Sequence, residues 1–162
     1  MKIADVQLIY DYNYWARDRI LRAAAEVTAE HYAAGAGFPY GGLRGTLLHM
    51  LDAEKSWRHQ LEWGYWTPDL LEADYPTLEV LQTEWQAEEA AMRTYLRRLT
   101  DADLQGVVRY TADSGAVRER ILWHCLFHLA NHGTQHRAEA AALLTDYGCS
   151  PGDLDFTLFL NQ

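Results

Sequence analysis

The stretch HCLFHLANHGTQHR, from His124 to Arg137, sets His124, His128, His132 and His136 four residues apart in a chain with only seven histidines. On an α-helix each such step turns ~400°, which leaves ~40° of drift and a rise of ~6 Å. Neighbours in the row therefore stand one above the other, the arrangement in which two imidazoles chelate one metal ion. Over the whole row the drift reaches ~120°, so four rings cannot meet one ion. The row must divide into roles. His132 with His136 is one pair; His124 with His128 and His128 with His132 are the others. A single histidine is most often a ring satisfied by hydrogen bonds, but four at one interval are a poor accident. Two ligands do not close a site, since catalytic zinc centres use about three protein ligands and leave a position open.

A third ligand must come from another helix. His49, in TLLHMLDAEKSW, is flanked by Leu47, Leu48 and Leu51 and belongs near a buried face, where a neutral ring needs a partner. His59, beside Arg58 and Gln60, and His31, in AEHYAAG, read as surface. Asp52, three residues after His49, is a candidate acid/base or orienting group; Glu54 points away and reads as a solvated side chain. Trp57 and Trp123 read as core rather than as substrate platforms. Arg137, directly after a ligand candidate, can meet an anionic group or take a surface or salt-bridge role. Other enzyme signatures are absent: there is no GxSxG, P-loop or GxGxxG. Cys125 reads as a buried, inert thiol and Cys149 as a more exposed one; they form no CxxC pair.

Four long segments must position these groups. The first, roughly Ile3 to Val27, repeats apolar residues at three and four (Val6, Ile9, Tyr10, Tyr14, Ile20, Leu21). The Gly-rich AGAGFPYGG breaks it from a second helix, Leu43 to Trp63, with Leu47, Leu48, Leu51 and Trp57 inward. A third starts at a cap near Thr77, with Val80, Leu81 and Trp85 on its inner face. From Asp101 to Val117 the β-branched QGVVRYTADSGAVRER reads as an irregular or hairpin-like excursion around Asp113, Ser114 and Gly115. The fourth helix runs from about Arg118 to Tyr147 and stops at Gly148. Phe156 to Leu160 forms a last short turn. The pattern predicts an all-α fold, a four-helix bundle with this excursion before the last long helix, in one domain over residues 1–162.

Composition narrows the function classes. A formal charge of -9 and a pI near 5.1 oppose binding to nucleic acid or an anionic membrane. The opening MKIADVQLIYDYNYWARDR meets charges at once, unlike a secretory signal, and no apolar run spans a membrane. A cytoplasmic protein with free thiols is expected.

At this point the sequence resembles the DinB-like (DinB/YfiT) family of metal-binding four-helix bundles over nearly the whole chain. YDYNYWARDRIL looks like the family's opening helix, LRGTLLHMLDAEKSWRHQL like its second, and HLANHGTQHRAEAAALLTDYG like its fourth, with the Asn-His-x-x-x-His-Arg core. The resemblance implies a metal held by one histidine of the second helix and two of the fourth, which here are His49, His132 and His136. His128 matches a histidine one turn before the pair and His124 lies outside the motif. Ala138 and Glu139 stand where many relatives show Gly-Gln, so Glu139 can perturb the surroundings of the ligands.

The resemblance further implies a divalent-metal-dependent enzyme acting on a small molecule, foremost a thiol S-transferase in detoxification or stress response. The metal is zinc or nickel first, then iron, manganese or copper, with a low-molecular-weight thiol as co-substrate. A metal-dependent hydrolase and a non-catalytic metal-binding dimeric module are the alternatives, and a homodimer is the family expectation. Because protons compete for ring nitrogens, metal loss is expected as pH falls towards ~6.

Overall fold

The computed structural model describes residues 1–112 and 114–162. Its elements are α1 (Ile3–Ala24), α2 (Ala29–Ala33), α3 (Leu43–Trp63), α4 (Leu78–Arg98), β1 (Val107–Thr111), β2 (Val117–Ile121), α5 (Leu122–Asp146) and α6 (Phe156–Phe159). The protein is an all-α bundle of four long helices with one small excursion. α5 packs on α1 and α3, and α4 packs on the same two helices from the other side. α1 and α3, consecutive long helices, are thus diagonal, and so are α4 and α5. The extended connections between them make this non-sequential order possible.

Helix ends follow local chemistry. α3 stops at Gly64, whose φ of 80° suits a residue without a Cβ. α4 starts where the Thr77 hydroxyl accepts from the Val80 N–H, as the sequence suggested. α1 ends at Ala24 rather than Val27, and the short α2 follows where the sequence showed only the approach to a glycine-rich break. Val80, expected inward, is 42% exposed; Leu81 and Trp85 are buried.

The excursion is a β-hairpin. Val107–Thr111 pairs antiparallel with Val117–Ile121, so Arg118 to Ile121 belong to β2 and not to the last helix. VRERI can be helical or extended locally; ladder pairing with β1 decides, since strand formation depends on its partner more than on propensity. Gly115, with φ 79°, sits in the connecting turn. Asp113, read from sequence in that turn, lies outside the described residues. The Trp66 indole N–H donates to the Thr111 carbonyl at 2.9 Å and the Gln60 amide to the Arg109 carbonyl at 3.3 Å, which tie the hairpin to the region around the end of α3.

The interior divides into two apolar clusters. One gathers Ile20, Leu43, Leu47, Leu51, Leu81 and Leu144; the other Val6, Tyr10, Tyr14, Met92, Leu104 and Leu126. Buried polar side chains fall between their positions on each long helix: Arg17 on α1, Glu54 on α3, Glu88 on α4, His136 and Arg137 on α5. Burial of charge costs free energy unless it is paired or hydrogen-bonded. Arg17 and Glu88 are ion-paired, and Glu54 and Arg137 are held by hydrogen bonds to neutral groups. Arg58 Nη2 donates to Glu88 at 2.8 Å, its Nε reaches the other oxygen of the same carboxylate, and its Nη1 donates to Glu62 at 2.9 Å.

Candidate metal centre

α3 and α5 pack side by side, so His49 faces the two histidines one turn apart on α5, His132 and His136. The Nε2 atom of His132 lies 3.1 Å from that of His49 and 3.1 Å from that of His136. One ring nitrogen from each falls within 4.8 Å of the other two. The rings meet at steep angles, 63° between His49 and His132, 65° between His132 and His136, and 86° between His49 and His136. They converge edge-first, as ligands do, rather than stacking. Burial, with the charge of His136 adding to it, lowers the pKa of both His49 and His132 to about 4. Neutral imidazoles are the form that ligates.

The third ring is set from behind. His136 is buried, and its Nδ1 lies 2.7 Å from a carboxylate oxygen of Glu139, one turn further along α5. An ionised carboxylate only accepts, so the proton sits on Nδ1 and the Nε2 lone pair of His136 points at the other two rings. A carboxylate holding the far nitrogen of a ligating histidine is the common outer arrangement of metal sites. His49 is held differently. The Tyr40 ring stacks on it at 3.5 Å and 10°, and meets His136 edge-on at 5.3 Å. Gly45 lets the Tyr40 loop lie on α3, because a Cβ at that position would stand 2.0 Å from the Tyr40 carbonyl oxygen. With the protons on the far ring nitrogens, three lone pairs this close repel one another unless a cation sits among them, and the donor set fits a divalent ion with about three imidazole ligands.

A model of the DinB family matches residues 2–162. The chain belongs to the DinB family. The Protein DinB of Bacillus subtilis (strain 168) is 24% identical over 162 residues, which cover 94% of this chain and 91% of that protein.

Two stretches that carried the family resemblance meet inside this DinB-family bundle. Arg137, which follows His136, is 2% exposed and donates to the Asn13 amide oxygen on α1 and to the Thr134 hydroxyl at 2.8 Å. The Tyr12 ring lies 5.7 Å from its guanidinium. Arg137 is thus held in the bundle interior: it is no surface residue, and among the described residues it forms no ion pair with an acidic side chain. Gly133 makes room for the contact, since a Cβ there would come within 2.8 Å of the guanidinium and 3.0 Å of the Asn13 oxygen.

Glu54 overturns its expected solvated position. It is 4% exposed and accepts from the Tyr14 hydroxyl and from the Trp85 indole at 3.0 Å, while burial raises its pKa. The signal was present: Glu54 stands three and four residues after Leu51 and Met50, on the apolar stripe of α3. Arg58 and Gln60, used as markers of a surface around His59, are buried as well. His59 itself is half-buried and packs against Trp63 at 4.4 Å and Tyr65 at 5.6 Å, away from the three-histidine group. His31 is exposed and stacks on Tyr147; His124 is exposed against Trp123. Cys125 is buried with its pKa raised by burial, and Cys149 is half-buried; both are free thiols.

A cleft of about 600 Å³ opens on His49 and His132. Its walls carry Asp52, Asp69, Trp57, Trp66 and Tyr110, and His128 lines it without joining the metal-competent group. Asp52 accepts from the Leu70 N–H at 3.0 Å, and burial raises its pKa. Trp57, read as core, has a second face on this cleft. Tyr40, Trp66 and Tyr110 were not picked out as site residues in the sequence, and no spacing pointed to them. Glu139 was singled out as able to perturb the surroundings of the ligands, and it contacts His136 three residues before it.

Among the described residues no helix is long and apolar enough to cross a membrane.

Proposed function

We propose that His49, His132 and His136 hold one divalent ion, zinc or nickel first, in an enzyme that transfers a low-molecular-weight thiol to an electrophilic small molecule in detoxification or stress response. Residues 1–162 act as one domain, cytoplasmic and homodimeric. The observation that carries the reading is the convergence of three imidazole nitrogens at the edge of a cleft, with no fourth protein ligand among the described residues. A closed structural site would add such a ligand; Asp52 and His128 line the cleft but stand outside the group.

When bound, the ion supplies Lewis acidity that favours the thiolate over the thiol. The chain's own residues supply the rest. Burial keeps His49 and His132 neutral near pH 7. Glu139 fixes the proton of His136 on Nδ1, and Tyr40 stacks on His49. In the transfer the thiol loses its proton to solvent water, sulfur donates a pair to the electrophilic carbon, and the leaving group departs with its bonding pair. The cleft walls hold both reactants beside the centre.

The test is metal analysis of untagged protein, followed by thiol conjugation to monochlorobimane with the zinc-loaded, nickel-loaded and chelator-stripped forms. Conjugation that depends on metal and is lost in His49→Ala supports the proposal. Metal-dependent cleavage of p-nitrophenyl esters without thiol, and no conjugation, would make it a hydrolase. Bound metal with neither activity, and a dimer that dissociates on chelation, would make it a non-catalytic module.

A further inference from the structure

The cleft has a chemical bias beyond the three histidines. Trp57, Trp66 and Tyr110 form one aromatic wall: Trp57 meets Trp66 edge-on at 5.1 Å and Tyr110 at 5.2 Å, and Trp66 meets Tyr110 at 5.8 Å. Each ring comes from a different segment, α3, the connection after it, and β1. The Trp66 hydrogen bond to Thr111 holds hairpin and connection together there. Asp52 and Asp69 line the same cleft, close enough that Asp69 disfavours ionisation of Asp52.

Among the described residues neither carboxylate is in an ion pair, and no lysine or arginine lines the cleft. The nearest lysine in sequence, Lys55, is paired with Glu84 and does not line the cleft, though its charge acts on Asp52 in the direction opposite to that of Asp69. Arg120 lines a separate, smaller cavity of about 270 Å³ that shares Trp57, Tyr110 and His128 with this one. The Thr67 hydroxyl oxygen, also in the cleft lining, is buried without a hydrogen-bond partner. A metal-bearing cleft built for an anionic substrate would be expected to spend arginine on it, because the guanidinium fork matches carboxylate and phosphate. This one offers carboxylates, the faces and edges of three aromatic rings, and a free hydroxyl.

We infer that this cleft takes a small molecule bearing a protonated amine on an aromatic or apolar skeleton, with the ammonium at Asp52 and Asp69 and the skeleton against Trp57, Trp66 and Tyr110. The inference rests on the reading that the cleft is the substrate site of the three-histidine centre. Charge-assisted hydrogen bonds to the carboxylates hold the ammonium, and the neighbouring π-systems favour a cation over an anion. The net charge of -9 draws amines and repels acids at longer range. His49, one turn before Asp52 on α3, and His132 line the same cleft and are left for the reacting atom.

The test uses the full chain, chelator-stripped and then zinc-loaded, with three probes on one phenylethyl skeleton: 2-phenylethylamine, 2-phenylethanol and 3-phenylpropanoate. Quenching of tryptophan fluorescence reports binding near pH 7.5. In the stripped protein the amine should bind roughly ten-fold tighter than the alcohol, with the acid weakest. The Asp52→Asn, Asp69→Asn double variant should lose the preference for amine over alcohol and keep the alcohol's affinity. Asp69→Asn alone, at an exposed position, should reduce the preference without threat to folding. Acid binding equal to amine binding, an unchanged preference in the double variant, or no binding of any probe overturns the inference. Thiol conjugation without the amine preference would leave the proposed function standing and remove this one. The amine preference without conjugation would do the reverse.

Discussion

Glu139 accepts a hydrogen bond from Nδ1 of His136 at 2.7 Å and so directs the other nitrogen of that ring toward His49 and His132. The acceptor behind the ring is a carboxylate on the same helix. Replacement of an outer carboxylate on a ligating histidine commonly costs about 10–100-fold in metal affinity. Glu139→Ala should show a loss of that size in competition with a chromophoric chelator, and Glu139→Gln, which retains an acceptor, a smaller one. Equal affinities in all three proteins would mean that the contact does not tune the centre.

His49→Ala, His132→Ala and His136→Ala should each lower zinc content sharply, because about three imidazoles carry such a site and two hold a divalent ion poorly. His31→Ala and His59→Ala should match the parent, since both rings lie outside the group. Inductively coupled plasma measurement on untagged protein distinguishes the two sets. Full occupancy in His49→Ala would remove α3 from the site.

The pH response follows from the lowered pKa of His49 and His132, about 4 against an ordinary 6.5. Between those values the unfolded chain binds more protons than the folded one, so the stability of the metal-free protein is full above 6.5 and declines as pH falls towards 4. The urea midpoint should therefore fall across that window, and less steeply in a His49→Ala, His132→Ala double variant. For metal, protons compete at these two nitrogens below the range of an ordinary histidine. Half-release of zinc is expected below ~6, the value that reference titration suggests. Half-release at or above that pH would contradict the effect of burial.

Arg58 and Glu88 are 5% and 4% exposed and joined through both oxygens of the carboxylate. Arg58→Ala should destabilise the fold by about 3–5 kcal/mol, because a buried carboxylate is left without its main partner. Arg58→Met combined with Glu88→Leu should recover most of the loss. Urea unfolding with an unchanged slope is the measurement; a loss under ~1 kcal/mol would show that water reaches Glu88.

Duplex DNA should not be retained in a gel shift at physiological salt. A chain of net charge -9 has little to set against the phosphate repulsion that governs such binding. Salt-sensitive micromolar binding would overturn this.

The sequence alone was enough for the long helices and for the three histidines as a set. α3 was read as Leu43 to Trp63, the observed bounds, because apolar periodicity and Gly64 are local signals. His132 and His136 share a helix face at any tertiary arrangement, as the other pairs in the row do, and the family resemblance singled them out; His49 stood out because an imidazole among leucines needs a partner. Tertiary structure decided the rest. VRERI became strand because β1 pairs with it across the hairpin turn; taken alone the segment is compatible with helix or strand, and only the pairing decides. Glu54 looked solvated because a charge is usually placed in water; Tyr14 and Trp85, from two other helices, made burial tolerable. Tyr40 reached His49 through a loop whose path depends on its fit against Gly45. The cleft combines α3, the segment after it, β1 and α5, so its aromatic and acidic walls exist only where these elements meet. Periodicity along one chain fixes which residues share a face, whereas a site between faces depends on how the faces pack.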